Sequence, residues 1–476
     1  MSLTTSAHGN EAARAHGAGP GSGPERRRTI VAVALCWGMV LFDGYDLIVY
    51  GTVQNNLIER AGWGLNAASA GTIGSMAFVG MMIGAVFAGR LSDAWGRRNA
   101  ILLCAVVFSV ATVLCAVAPG AVAFGSLRLV AGLGLGGLVP SANALAAELI
   151  PARRRGAIAT LMMSGVPLGG TAAAVLGLGM IPAFGWQSMF WLALVALLVL
   201  VPLGWRFLPE TLASAPAVER ARGERTTPVP PAANELPAAR PTAALPTAAR
   251  PTAAQPAAAR PTAAQPTAAG GGFRGLFRVP FLGLSILFAA STLFTLFAWY
   301  GLGTQLPKIM RDSGADLGPA LTFTIALNLG AVAGSIVTAW AGDRFGTVQT
   351  SVVAAFLAGA GLVSLLVVPA GNSAYVYGAL VIAGVGTHGT QSLVIAAITA
   401  RYPNELRGTA LGWALGVGRI GAVLAPQLSG LMLATKSIPP VMNFLLFGGS
   451  AIVSAALLAA VVALTSARRR RAAALV

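Results

Sequence analysis

The stretch GRLSDAWGRRN at residues 89–99 decides how this chain is organised, because a shortened copy, AGDRFG, returns at residues 341–346. In both copies an aspartate stands three positions before a glycine, as Asp93 and as Asp343. A second match, at nearly the same offset, pairs Pro151, Arg155 and Gly156 with Pro403, Arg407 and Gly408. Two independent matches at one offset predict that the two halves of the chain are structural copies of each other.

The composition is that of a membrane protein. Of the 476 residues, 56% are hydrophobic and 10% are charged, which lies outside the balance of a soluble domain. A helix needs about 20 apolar residues to cross a hydrocarbon core about 30 Å thick. Twelve stretches meet this requirement, and we predict an all-α membrane protein with helices at 29–52, 68–89, 99–118, 121–148, 156–181, 187–207, 280–305, 319–341, 348–369, 373–400, 408–433 and 441–465.

The basic residues define an orientation. The formal net charge is +17, but most of the 32 Lys and Arg residues lie in the two tails and in alternate loops. The intervening loops hold only Arg60, Lys308, Arg311 and Lys436. This positive-inside pattern predicts a multi-pass protein of the cytoplasmic membrane with both termini in the cytoplasm. It favours a lipid bilayer over nucleic acid as the partner, and we expect the monomer to be the functional unit.

The predicted domains are two six-helix bundles at 29–207 and 280–465, with a cytoplasmic tail at 1–28 and a basic tail at 466–476. The segment 208–279 joins the bundles. Within it a proline returns every fifth position from Pro241 to Pro266, mostly as PTAAx. Such a segment lacks the large apolar side chains that a core needs, so we expect a disordered, solvated tether. Parallel repeats joined in this way are an architecture of transporters.

The motifs resemble one family. GRLSDAWGRRN is similar to the loop signature of the major facilitator superfamily, G-x-x-x-D-x-x-G-R-R. DGYD at 43–46, the segment at 128–148 and GVGRIG at 416–421 resemble its aromatic acid:proton symporter branch. The resemblance covers both halves. It implies two pseudo-symmetric six-helix bundles, proton-coupled uptake of an aromatic carboxylate such as a hydroxybenzoate by alternating access, and a need for both aspartates of DGYD. The proline repeat makes the central loop longer than this family pattern.

Four ionisable residues within the predicted spans stand out, since each costs roughly 2.5–3.5 kcal/mol to insert at membrane depth. Asp43 and Asp46 share one face of the first helix, and we predict that they hold the transported proton. Arg128 should lie at the depth of Asp43, and Arg419 near the midplane, so that both arginines bind the substrate carboxylate. Alternatives remain open. Asp43 and Arg128 would form a packing pair, Asp46 a solvated helix cap, and Arg419 a partner of a carbonyl or an acid.

Weaker candidates for substrate binding are polar or aromatic residues in the second half. His388 and Gln391 offer hydrogen-bonding groups, and Asn328 offers an amide. Trp299 and Tyr300 would stack on an aromatic ring. Aromatic residues at an outer boundary are commonly interface anchors, and the anchor is the favoured interpretation of this pair.

The loop residues point to gating. At cytoplasmic helix ends an aspartate can cap a helix and pair with arginines of the other half, in a contact that breaks when the gate opens. The predicted gating residues are Asp93, Arg97, Arg98, Asp343, Arg344 and Arg407. No nucleophile with a base and no metal-ligand spacing stands out, so we expect neither enzymatic activity nor a cofactor or metal.

Three other functions fit parts of the sequence. GVPLGG at 165–170 partly resembles the glycine-proline segment of proton-driven exporters of drugs or metabolites. LPET at 208–211 resembles a motif of sugar or polyol carriers. A membrane sensor would bind the anion without moving it.

Overall fold

The computed structural model describes residues 23–151, 154–210, 273–367 and 372–473. Within these ranges the chain forms twelve helices that are long and apolar enough to cross a membrane, as predicted. They are α1 (Gly23–Arg60), α2 (Ala67–Trp95), α3 (Arg97–Cys115), α4 (Ala121–Glu148), α5 (Arg155–Phe184), α6 (Gln187–Phe207, with a π turn at Ala196–Leu200), α7 (Leu282–Asp312), α8 (Leu317–Phe345), α9 (Thr347–Ser364), α10 (Ser373–Arg401), α11 (Asn404–Ala434) and α12 (Met442–Ala473).

Two helices continue into segments that the sequence assigned to tails. Helix α1 already begins at Gly23, and α12 runs to Ala473. Arginine and alanine are good helix formers, so a helix need not end where its hydrophobicity ends. The predicted tether falls almost wholly on residues 211–272, which lie outside the described part of the chain.

The backbone repeats as the sequence does. Gly96 and Gly346, which close the two copies of the loop motif, have φ angles of 91° and 94°. Only glycine adopts this conformation without strain, and it allows α2 to pass directly into α3 and α8 into α9. The equivalence of the two loops confirms that the halves are structural copies.

The same helix pairs pack tightly in each half. Helix α2 lies against α4 so closely that a Cβ added at Gly132 would overlap the carbonyl oxygen of Ala77. Helix α8 lies against α10 in the same way, and a Cβ at Gly384 would overlap the carbonyl oxygen of Leu327. In lipid, close backbone approach at small residues supplies much of the helix–helix attraction, so these glycines fix the form of each bundle.

The halves are in contact near one end of the described helices. We call the end with the α2–α3 and α8–α9 loops the inner end, following the predicted orientation, and the opposite end the outer end. Near the outer end the Ser75 hydroxyl of α2 donates to the carbonyl oxygen of Val423 in α11, at 2.7 Å. Arg311 and Glu59, one from each half, lie 3.8 Å apart there. Towards the inner end the halves separate around a cavity.

Candidate functional site

The central cavity lies between the two halves and measures about 570 Å³, within the range usual for small-molecule sites. Its walls are mostly apolar, with Met82, Val139, Val166, Leu296 and Leu415 among the lining residues. A second chamber of about 830 Å³ continues to the inner end and shares part of its lining with the first. The central cavity and the inner chamber are therefore adjacent.

Among the residues that line the central cavity are six that the sequence predicted for the site. They are Asp43 of α1, Trp299 and Tyr300 of α7, His388 and Gln391 of α10, and Arg419 of α11. Polar groups from three helices of the second half thus face an aspartate of the first half.

Asp43 is almost completely buried, with 1% of its surface exposed. Its Oδ1 atom has no hydrogen-bond partner within the described residues. The charged groups that act on it electrostatically are Arg419 and Asp46. A buried carboxyl oxygen without a partner is suited to taking up a proton.

Arg419 is the cation of the cavity. Its Nη1 atom lies 3.5 Å from the Met81 sulfur, and its Cζ atom lies 5.7 Å from the centre of the Tyr300 ring. The salt bridges in the described part of the chain do not include Arg419. A guanidinium in an apolar cavity without a carboxylate at contact distance is suited to binding an anion.

Asp46 and Arg128 form a buried ion pair away from the cavity. Arg128 donates from Nη1 to Asp46 Oδ2 at 2.7 Å and from Nη2 to the Asp46 carbonyl oxygen at 3.0 Å. Thr112 donates to Asp46 Oδ1 at 2.6 Å. Arg128 and Asp46 are each 1% exposed, and neither lines the central cavity. The pair fastens α1 to α4.

This arrangement corrects three parts of the sequence interpretation. Arg128 does not stand beside Arg419, its partner is Asp46 and not Asp43, and Asp46 is not a solvated cap. Residues three apart on a helix are about 60° apart around its axis. That angle turns Asp43 towards the cavity and Asp46 towards α3 and α4.

The two arginines lie on helices that the repeat does not pair, but each faces a tyrosine on the first helix of its own half. Tyr50 of α1 and Tyr300 of α7 are equivalent, since both precede a glycine at the offset that relates Asp93 to Asp343. Arg128 lies 5.8 Å from the centre of the Tyr50 ring, much as Arg419 lies over Tyr300. The position equivalent to Asp46 is Leu296, so α7 offers Arg419 no matching carboxylate.

The α10 wall is polar and buried. His388 is 2% exposed and Gln391 6% exposed. The His388 ring lies 4.9 Å from the Trp299 ring, centre to centre, and faces the backbone of Met163 in the other half. Trp299 itself is buried in the cavity wall. It therefore does not serve as an interface anchor, and Tyr300 faces the cavity with it.

Asn328 does not reach the central cavity. It is fully buried, donates to the carbonyl oxygen of Thr324 at 2.9 Å, and packs beside Gly170 of α5. The sequence reasoning instead missed Asn143 of α4, which lines both chambers. Its position in the sequence, as an amide side chain within an otherwise apolar span, could have identified it.

The predicted gating residues lie at the inner end, where the halves are apart. Asp343 and Arg407 line the inner chamber. Arg97 pairs with Glu148 of its own half at 2.7 Å, and Arg98 donates to the carbonyl oxygen of Trp205. Arg344 lies over the Phe345 ring, and the side chain of Asp93 lies outside the described part of the chain. The gating roles stay predictions.

Comparison with known proteins gives concordant results. The family model for the Major Facilitator Superfamily matches residues 36–426 and 288–475. A gentisate transporter from Corynebacterium glutamicum is 48% identical over 424 residues, covering 88% of this chain and 85% of that protein. A benzoate transport protein from Acinetobacter baylyi is 32% identical, covering 86% and 84%. The crystal structure of a D-xylose-proton symporter matches with a TM-score of 0.67 at 18% identity, covering 90% and 96%.

Proposed function

This chain belongs to the Major Facilitator Superfamily, in its branch of aromatic acid transporters, and from that premise we propose that it takes up a hydroxybenzoate together with protons. Transport proceeds across the cytoplasmic membrane by alternating access between the two halves. The observation that carries the proposal is Arg419, a cation in an apolar cavity that has no carboxylate within salt-bridge distance among the described residues, whereas the buried Arg128 is neutralised by Asp46.

The substrate carboxylate binds to Arg419, in the same way that the Asp46 carboxylate binds to Arg128. Charge-assisted hydrogen bonds to a guanidinium are among the strongest available to a carboxylate. The aromatic body of the substrate then lies between Trp299, Tyr300 and the aliphatic walls. A neutral sugar would leave the guanidinium without a counter-ion, which disfavours the sugar carrier.

Asp43 carries the proton in this proposal. With a membrane potential of 100 mV, negative inside, the entry of an anion costs about 2.3 kcal/mol of free energy per charge. One proton cancels that charge, and a second makes entry favourable. Asp43 faces the same cavity as Arg419 and has an oxygen without a partner in the described residues, so protonation and substrate binding act on each other. Asp46 contributes indirectly, by holding Arg128 and α4 in place.

The closed outer end and the open inner end correspond to the releasing state. The return to the loading state requires the halves to separate at Ser75 and Val423 and at Glu59 and Arg311. The predicted gating residues would then come together at the inner end.

Purified protein in liposomes tests the proposal. With an acidic exterior, we expect labelled hydroxybenzoate to accumulate inside. Arg419→Lys keeps the charge but loses the planar fork, and we expect uptake to fall at least about tenfold. Arg60→Lys, at an exposed position at the end of α1, is the matched control and should transport normally.

Three outcomes contradict parts of the proposal. Extrusion of substrate would indicate an exporter, and saturable binding without flux would indicate a sensor. Equal uptake by Arg419→Lys and wild type would remove Arg419 from the site.

A further inference from the structure

The α10 wall has hydrogen-bonding groups that a carboxylate bound to Arg419 would leave without partners. Gln391 Oε1 is buried and lacks a hydrogen-bond partner in the described ranges. One side of the His388 ring faces the Met163 backbone, which leaves at least one buried ring nitrogen without a partner there. Both side chains are more than nine-tenths buried and both line the central cavity. They are separated by three positions on α10, so they present one polar face. Buried polar groups without partners are rare and call for a ligand.

The polar face on α10 and Arg419 lie beside different aromatic residues of α7. Arg419 lies over the Tyr300 ring, while His388 lies beside the ring of the preceding residue, Trp299. All these residues line the same cavity. A flat ring bound between them would present one edge to Arg419 and another to α10.

The two ends have opposite hydrogen-bonding character. A guanidinium only donates, so it selects a carboxylate, which only accepts. The Gln391 Oε1 atom only accepts, and therefore repels a carboxylate but pairs with a hydroxyl group. A neutral imidazole donates through one nitrogen and accepts through the other, which matches a hydroxyl group as well. The orientation of the substrate follows from this difference.

We propose that His388 and Gln391 form a hydroxyl-reading site, which selects ring-hydroxylated aromatic acids over unsubstituted ones. This rests on the proposed function, since it assumes that the carboxylate binds to Arg419. A site built to pair with a hydroxyl group discriminates strongly against an analogue that lacks it, because the buried partners are then left unpaired. We expect kcat/KM for a hydroxylated benzoate to exceed that for benzoate at least about tenfold.

The experiment measures kcat/KM for benzoate, 3-hydroxybenzoate and 2,5-dihydroxybenzoate in liposomes with an acidic exterior. We expect Gln391→Leu and His388→Phe to lower the preference for hydroxylated acids to near unity, with benzoate affected less than the hydroxylated acids. Thr390→Val is the matched control on the same helix. Its hydroxyl donates to the carbonyl oxygen of Ser351 and does not line the cavity, so its preference should equal that of wild type.

Two results would overturn the hydroxyl-reading site. One is wild-type protein that transports benzoate within twofold of the hydroxylated acids, a measurement that needs no variant to fold. The other is an equal loss for all three acids in Gln391→Leu. Either result leaves aromatic acid transport standing, whereas failure of wild type to move any of the three acids refutes the proposed function itself.

Discussion

A carboxylate placed at position 296 should lower the affinity of the cavity for its substrate. Leu296 is the repeat equivalent of Asp46, lines the central cavity, and packs against Gly418, the residue before Arg419. The substitution Leu296→Asp would therefore supply Arg419 with the internal counter-ion that Arg128 already has. The substrate carboxylate would then have to displace it.

The size of the effect follows from the distance. Two opposite unit charges about 4 Å apart attract by about 4 kcal/mol at an effective dielectric constant of 20. If half of this attraction, about 2 kcal/mol, opposes substrate binding, the apparent affinity falls about 30-fold, since each 1.4 kcal/mol is tenfold. Replacement by asparagine removes the same leucine and adds a polar group without charge, so Leu296→Asn isolates the electrostatic part.

The assay compares KM for labelled hydroxybenzoate in liposomes that contain Leu296→Asp or Leu296→Asn, after both variants have been shown to be monodisperse in detergent. We expect KM to be at least about 30-fold higher for the aspartate variant than for the asparagine variant. Values within twofold of each other would mean that Arg419 does not hold the carboxylate, and that the comparison between the two Arg–Tyr pairs is misleading.

Two further predictions concern the aspartates of α1. Asp43→Asn should abolish accumulation driven by a pH gradient while exchange of internal for external substrate continues, because exchange needs no net proton movement; loss of both activities would contradict a role confined to the proton. Asp46→Asn leaves Arg128 buried without its counter-ion and should lower the free energy of unfolding by about 3 kcal/mol, measured by thermal unfolding in detergent. Asp316→Asn, at an exposed position before α8, should change neither property, and an Asp46→Asn protein as stable as this control would show that the pair is dispensable.

The sequence predicted the architecture well, because each relevant signal is local. Twelve apolar stretches give twelve helices, and the loop motif with its copy gives the two halves. Asp43 and Arg419 were also within reach, since an ionisable residue at membrane depth is costly and is seldom kept without a role.

The pairing of the charges was not within reach of the sequence. Which of the two aspartates pairs with Arg128 depends on how α1 is rotated about its axis relative to α4. A spacing of three residues shows that the aspartates lie close together on α1, but not which of them points towards α4. The same applies to Trp299 and Asn328. Their depth in the membrane can be read from position along the helix, but whether they face lipid, a neighbouring helix or the cavity depends on helix rotation, which packing decides.

Arg128 has a carboxylate partner and Arg419 has none, and this difference would link binding of an acid to movement of the two halves. An unpaired cation away from water is costly, and removing a buried partner charge typically costs several kcal/mol. Arg128 avoids this cost through its ion pair with Asp46, so no substrate anion is needed to neutralise it. Arg419 avoids the same cost in one of two ways: water solvates it when the cavity is open, and an anion neutralises it when the cavity is closed. With Asp43 protonated, closing the halves without substrate would strip the water from Arg419 without supplying an anion, whereas closing them around a bound carboxylate would supply one. We therefore propose that the lack of a carboxylate at position 296 couples the movement between inner-open and outer-open states to the substrate.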